Sequence, residues 1–115
     1  MLNQLVIVGR ITKDIEVNES EDGKKYTTMI SAIPRTFKNE QGEYDTDFLS
    51  VTLFGSVAVN TAEYCKKGDL VGIKEHLQNK PYSGSDENIK YLMEIIAEKV
   101  TFLSSKKEDE NGKDI

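Results

Sequence analysis

The stretch that decides the fold is Thr-Asp-Phe-Leu-Ser-Val-Thr-Leu-Phe-Gly, residues 46–55. Alternate side chains of a strand point to opposite faces, so a period of two divides the stretch into two sets. One set is apolar and typical of a core face: Leu49, Val51 and Leu53. The other set has two aromatic side chains separated by small polar ones: Phe48, Ser50, Thr52 and Phe54.

The mixed face has two interpretations. Small polar residues between the two phenylalanines leave room for a flat ligand, and nucleic-acid bases stack on such surfaces because every base has a π-face. Alternatively, the strand is buried on both sides, and Phe48 and Phe54 belong to the core. Taken alone, the stretch favours burial, and the rest of the chain shifts that balance.

Composition indicates one globular domain. The chain has 115 residues, of which 37% are hydrophobic and 30% charged. It contains no apolar run of membrane-spanning length and no signal-peptide pattern at its start. The single cysteine, Cys65, excludes an internal disulfide and suits a reducing cytoplasm. The net charge is −5, so phosphate contacts would have to come from local cations.

The residues that catalysis and metal binding require are sparse. The one histidine, His76, and the one cysteine lie far apart in the sequence and form no cluster with the spacing of a metal site. The common phosphate-loop, hydrolase and metalloprotease motifs are also absent from the sequence. We therefore expect a protein without enzymatic activity, bound metal or cofactor.

Strand and turn patterns predict five strands and one helix. The strands are expected over residues 5–11, 26–33, 46–55, 70–77 and 89–97, with 100–103 closing the domain. Gly9 inside the first strand predicts a bulge or a bend. Ser56 is expected to cap a helix that runs to about Lys67, with Gly68 ending it. This all-β layout with one short helix and two long hairpin loops is that of an OB-fold, a five-stranded Greek-key barrel.

Each of the two long hairpin loops carries an aromatic residue near a cation. Phe37 lies between Arg35 and Lys38 in the first loop, and Tyr82 lies near Lys80 in the second. An aromatic side chain flanked by cations suits a stacked base with phosphate contacts. For Phe37, anchoring of the loop is an equally good interpretation at this stage.

Several blocks of the chain resemble the bacterial single-stranded DNA-binding proteins. The blocks are residues 3–14, 35–37, 47–48, 53–54, 62–64, 66–68 and 94–97. Each block is short, but together they follow the family's order and spacing. The resemblance covers residues 1–104, which we take as an OB-fold single-stranded DNA-binding domain. The remaining residues, 105–115, are expected to form a short polar and disordered tail.

The resemblance implies a cytoplasmic protein, of bacterial or phage origin, that coats single-stranded DNA in replication, recombination and repair without reading its sequence. It also implies a homotetramer, and the apolar residues Leu2, Leu5 and Ile7 indicate pairing near the N-terminal strand. The family's stacking aromatic residues correspond to Phe37, Phe48, Phe54 and Tyr82. Its phosphate contacts correspond best to Arg10, Arg35 and Lys80, with Lys13, Lys38, Lys74 and Lys90 as weaker candidates.

Two of the departures from the family pattern bear on packing and on partners. Glu75 stands where a glycine is usual, so its strand is expected to pack or pair differently. Cellular members end in an acidic tip with a final Pro-Phe that recruits replication and repair proteins, whereas this sequence ends in Asp114 and Ile115. We therefore expect DNA binding with weak recruitment of such partners. A protein-interaction OB-fold of the primosome type stays open as the alternative function, since the acidic net charge favours it.

Overall fold

The computed structural model describes residues 1–83 and 89–105. Within them the chain forms six strands and one helix, joined by loops. In chain order they are β1 (Leu5–Ile11), β2 (Asn18–Glu19), β3 (Lys25–Lys38), β4 (Tyr44–Phe54), α1 (Gly55–Tyr64), β5 (Leu70–Ser83) and β6 (Ile89–Ser104). Five strands close a barrel in the order β1-β5-β6-β4-β3, with β1 returning to pair with β3. The two-residue strand β2, which the sequence did not predict, pairs with β3. The predicted OB-fold is confirmed.

The core lies on the inner face of β4, as the alternation predicts. Val51 and Leu53 are fully buried, and Met29 of β3 packs with them. On the opposite face, Phe48 is 66% exposed and Phe54 49% exposed. The interpretation in which β4 is buried on both sides is therefore wrong. A closed barrel has one interior, so the residues that alternate away from it reach solvent.

Strand β1 closes the barrel by pairing with two neighbours. Residues 5–10 pair with β5, and Arg10 and Ile11 also pair with β3. Strand β1 approaches β3 closely at Gly9, where a Cβ atom would stand 2.9 Å from Cγ1 of Ile33 and 3.0 Å from the carbonyl oxygen of Ala32. The β1–β5 register runs through Gly9 without a shift, so the predicted bulge is absent there. Glycine serves instead to let two backbones approach closely.

The helix begins and ends earlier than the sequence predicted. Helix α1 spans Gly55–Tyr64, so Ser56 lies in its first turn rather than at the cap, and Lys67 lies beyond its end. Gly55 has a φ of 59°, which turns the chain from β4 directly into the helix. Cys65 is extended and buried, so the chain leaves the helix to return to the core. No helix of the described residues is long and apolar enough to cross a membrane.

Both hairpins extend further as paired strands than the sequence predicted. Strand β3 continues through Pro34, with a register shift between Pro34 and Lys38, and β5 continues to Ser83. Proline is tolerated at Pro34 because, within the described residues, β4 is the only strand that pairs there. Strand β6 is continuous where the sequence predicted two separate segments. Its pairing with β5 contains two register shifts, between Leu70 and Val71 and between Lys74 and Glu75.

Candidate nucleic-acid interface

The outward faces of β3 and β4 form one surface, which we call the platform. Its residues are Tyr26, Thr28, Ile30 and Ala32 of β3 and Phe48, Ser50, Thr52 and Phe54 of β4, paired across the two strands. The register places Tyr26 opposite Phe54 and Ala32 opposite Phe48. Because paired residues share a face, Phe54 and Tyr26 form a cross-strand aromatic pair at one end, and small side chains separate it from Phe48.

Tyr26 is a platform residue that the sequence-based site did not include. It is 39% exposed and extends the aromatic surface beyond Phe54 onto the neighbouring strand. The period-two alternation of residues 26–33 already separated Tyr26 from the buried residues of β3. Only the register of β3 against β4 reveals that it lies opposite a stacking candidate, since alternation within one strand does not specify its partner.

Strands β6 and β5 continue the surface on the other side of β4. The Thr52 hydroxyl donates to Oε2 of Glu94 over 3.1 Å, which places Glu94 on the platform side of β6. Glu94 lies opposite Gln78 of β5, and two residues further along Lys80 lies opposite Leu92. By alternation, Lys80 is on the platform side as well, as a phosphate contact would require.

Two predicted site residues lie next in the same hairpin. Tyr82 and Lys90 are opposite each other in the β5–β6 register. Their side chains fall outside the described part of the chain, so their predicted roles in stacking and phosphate contact stay predictions.

The extension of the β3–β4 hairpin, residues 34–47, forms an arm that carries Phe37. Phe37 is 63% exposed, so it is open to a ligand rather than buried as an anchor. The Arg35 guanidinium lies 5.9 Å from the centre of its ring. The Lys38 ammonium lies 5.8 Å from the ring of Tyr44, an exposed aromatic that the sequence-based site also missed. Both distances suit cation–π contacts.

Arg35 forms a bidentate ion pair with Asp47. Its Nε donates to Oδ2 of Asp47 over 3.0 Å, and its Nη2 donates to Oδ1 over 2.9 Å. These hydrogen bonds lower the pKa of the Asp47 carboxyl and raise the pKa of Arg35. The predicted phosphate contact is therefore engaged with a carboxylate of the same arm.

The remaining predicted cations are placed unequally. Arg10 pairs with Ala32, in the same cross-strand row as Phe48, and its Nη1 donates to the carbonyl oxygen of Gly68 over 3.0 Å. Lys13 is exposed and lines a polar cleft that Thr28 of the platform borders.

Lys74 has a different setting from the other predicted cations. It lies opposite Val6 of β1, and its ammonium is 3.8 Å from Oε1 of Glu98. Among the described residues, no hydrogen bond, ion pair or strand pairing links Lys74 to the platform. By alternation Lys74 shares the outward face of β5 with Lys80, and its phosphate contact stays a prediction.

Comparisons with known proteins agree on one family. Residues 2–103 match the model of the single-strand binding protein family. Single-stranded DNA-binding protein 3 of Listeria innocua is 40% identical over 112 residues, which cover 97% of this chain and 70% of the relative. Single-stranded DNA-binding protein 1 of Clostridium acetobutylicum is 39% identical over 108 residues, covering 93% of this chain and 98% of the relative.

A solved structure shares the fold. The crystal structure of a deletion mutant of the single-stranded DNA binding protein from Thermus aquaticus superposes with a TM-score of 0.73 at 22% sequence identity. The match covers 90% of this chain and 51% of the other. At this identity the likeness concerns the fold alone. The family model and the bacterial relatives show that the chain belongs to the single-strand binding protein family.

Proposed function

We propose that this protein binds single-stranded DNA without reading its sequence, by stacking bases on the platform and the arm. The observation that carries the proposal is the exposure of Phe48 and Phe54 on a face whose intervening residues are small, in a member of the single-strand binding protein family. Base stacking tolerates any sequence, whereas specificity requires hydrogen bonds to base edges.

The bases would stack on Phe54 with Tyr26, on Phe48 and on Phe37, and Tyr82 would extend the path along the second hairpin. Cations around these aromatic residues would contact the phosphates: Arg10, Lys13, Arg35, Lys38, Lys80 and Lys90. This distribution explains how an acidic protein can bind DNA, because the contacts depend on local charge rather than on the net charge of −5.

The primosome-type alternative is not favoured. Its one support was the acidic composition, whereas the curated relatives that match most of this chain are named for single-stranded DNA binding. The family's role in DNA replication, recombination and repair fits this reading. Residues 106–115 lie outside the described part of the chain, so the weak recruitment of partner proteins stays a prediction.

The test is a titration of labelled oligo-dT at two salt concentrations, followed by fluorescence anisotropy. We expect binding at low salt and a decrease in log affinity against log salt of about 0.7 per phosphate contact on a single strand. A duplex of the same length is the control and should bind more weakly, since its bases are not free to stack. Absence of binding to oligo-dT at low salt would contradict the proposed function.

We also propose a homotetramer, with the exposed side of β1 at one contact between copies. Of the three residues indicated by the sequence, Leu2 is exposed, whereas Leu5 and Ile7 are only partly exposed and Ile7 packs against the core. Val6 and Val8 alternate with them and are exposed instead. Within the described residues β1 pairs with β3 only at its C-terminal end, so the backbone edge over residues 5–9 is free to pair.

Light scattering at micromolar concentration tests the assembly. A mass near four times the 13.0 kDa of one chain is expected, and replacement of Val6 and Val8 by Asp should lower it. A monomer mass for the unmodified protein would contradict the proposed tetramer while leaving the DNA-binding proposal in place.

A further inference from the structure

The Arg35 guanidinium holds a carboxylate in the geometry in which it would hold a phosphate. Arginine presents its N–H groups as a planar fork that fits either anion through two parallel hydrogen bonds. Asp47 occupies one such edge, at 3.0 Å from Nε and 2.9 Å from Nη2. Both side chains are more than 40% exposed, so the pair is accessible to an incoming ligand rather than locked in the core.

The Arg35–Asp47 pair lies where a bound DNA strand would pass. Arg35 lies 5.9 Å from the centre of the exposed Phe37 ring, so a base stacked there would bring its own phosphates close to the pair. Asp47 directly precedes Phe48 in β4, which places the carboxylate between two stacking candidates along the chain. A phosphate that approaches this site meets an ion pair without net charge instead of a free guanidinium.

The surrounding charge strengthens the same effect. The arm, residues 34–47, contains two cations and four carboxylates: Arg35 and Lys38 against Glu40, Glu43, Asp45 and Asp47. The charge on Asp45 also contributes to the raised pKa of Arg35, although its hydrogen bond is to Asn39. The arm that carries Phe37 is therefore acidic, which disfavours an approaching DNA strand.

We propose that Asp47 is an intramolecular competitor of the DNA backbone for Arg35, so that a single strand engages the arm only by opening or sharing the Arg35–Asp47 pair. The inference rests on the proposed function and concerns how binding at the same site is moderated. It assigns Asp47 an inhibitory role, whereas sequence reasoning selected only the cations and aromatic residues of this region.

The test compares two substitutions that change the charge equally. Asp47→Asn removes the competing carboxylate and preserves the shape of the side chain. Asp45→Asn, the matched control, removes a carboxylate from the same arm that does not bond to Arg35. Affinity for labelled oligo-dT should rise roughly two- to five-fold in Asp47→Asn, the range expected for releasing an exposed ion pair. It should rise less in Asp45→Asn.

Combining each substitution with Arg35→Ala tests whether Arg35 is the group that Asp47 withholds from DNA. The gain from Asp47→Asn should disappear when Arg35 is absent, because no guanidinium remains to be released. The salt dependence of Asp47→Asn should steepen by up to about 0.7, the contribution of one further phosphate contact on a single strand. In the unmodified protein a DNA phosphate would replace the Asp47 carboxylate on Arg35, so this contact would add little to the salt dependence. Thermal melts of all variants check that each is folded at the temperature of the titration.

Three results would overturn the inference. Equal gains in Asp47→Asn and Asp45→Asn would indicate a general charge effect without competition. Weaker binding in Asp47→Asn would mean that Asp47 holds Arg35 in its binding position. If the unmodified protein binds oligo-dT and Asp47→Asn binds identically, the inference fails alone. If the unmodified protein does not bind at all, the proposed function fails as well.

Discussion

The platform exposes large aromatic side chains, whereas the barrel interior buries a carboxyl group. Phe48 and Phe54 lie in solvent on the outward face of β4. Glu75 of β5 is fully buried, and within the described residues neither of its carboxyl oxygens has a hydrogen-bond partner. Both arrangements reverse the usual distribution, in which apolar groups are inside and charged groups outside. The proposed function accounts for the exposed aromatic residues, whereas the path of β5 accounts for the buried carboxyl.

The path of β5 turns Glu75 inward. Glu75 continues the alternation of the buried Val71 and Ile73, and the β1–β5 register runs through these positions without a shift. Glu75 lies opposite Leu5 of β1 and Ala97 of β6, neither of which offers a charge. Burial therefore raises the pKa of Glu75 to about 7. At the position where the sequence departs from the family pattern, the structure thus has a buried acid that faces the barrel interior.

The largest effect is expected on the pH dependence of stability. The pKa of Glu75 is about 7 in the fold, against 4.5 for the free side chain, so the unfolded chain loses this proton first. The contribution of Glu75 to stability should therefore be constant below about pH 4.5, decrease between pH 4.5 and 7, and level off above. A shift of this size corresponds to about 3 kcal/mol of unfolding free energy. Denaturant unfolding measured at intervals from pH 4 to 8 tests the profile.

Glu75→Gln is the control, because it has the same shape and does not titrate. The pKa of His76 is raised by its hydrogen bonds to Glu98 and Gln78, so its contribution to stability is also lost as pH rises. The difference between the unmodified protein and Glu75→Gln therefore isolates Glu75. Two profiles of the same shape would contradict the buried, neutral acid.

A smaller effect is expected from Phe48→Ala, which removes an aromatic residue from the platform. Oligo-dT affinity should decrease by about 1–3 kcal/mol, the value of one stacked base. The melting temperature should hardly change, because Phe48 is 66% exposed. Anisotropy titrations and thermal melts measure the two quantities separately.

Leu53→Ala is the matched control on the inner face of the same strand. Leu53 is fully buried, so the substitution should cost about 2–5 kcal/mol of unfolding free energy. It should leave affinity nearly unchanged at temperatures where the protein is folded. Unfolding of Phe48→Ala would show that Phe48 supports the core after all.

The smallest effect is expected from Tyr26→Ala at the end of the platform. Tyr26 is less exposed than Phe48 and shares its site with Phe54, so we expect a loss of affinity of about 1 kcal/mol or less, at the lower end for a stacked base. Tyr64→Ala on α1 is the comparison, since Tyr64 is exposed but belongs to the helix. Equal effects of the two substitutions would exclude Tyr26 from the binding surface.

The sequence predicted best those properties that depend on a single strand. The alternation in residues 46–55 separated Val51 and Leu53 from Phe48 and Phe54, and the structure confirms this division. It predicted less where the answer depends on a second strand. The missed pairing of Tyr26 with Phe54 and the engagement of Arg35 by Asp47 both depend on the β3–β4 register.

The sequence by itself determined the barrel class, the inner face of β4 and the presence of aromatic residues and cations along two hairpins. These properties follow from side-chain periodicity and local chemistry, which one segment of chain carries alone. Tertiary structure decided the helix start at Gly55, the need for glycine at Gly9, the burial of Glu75 and the pairing of Arg35 with a carboxylate. The close approach at Gly9 and the pairing of Arg35 depend on the distance between segments remote in sequence, and that distance is set by strand register and barrel closure.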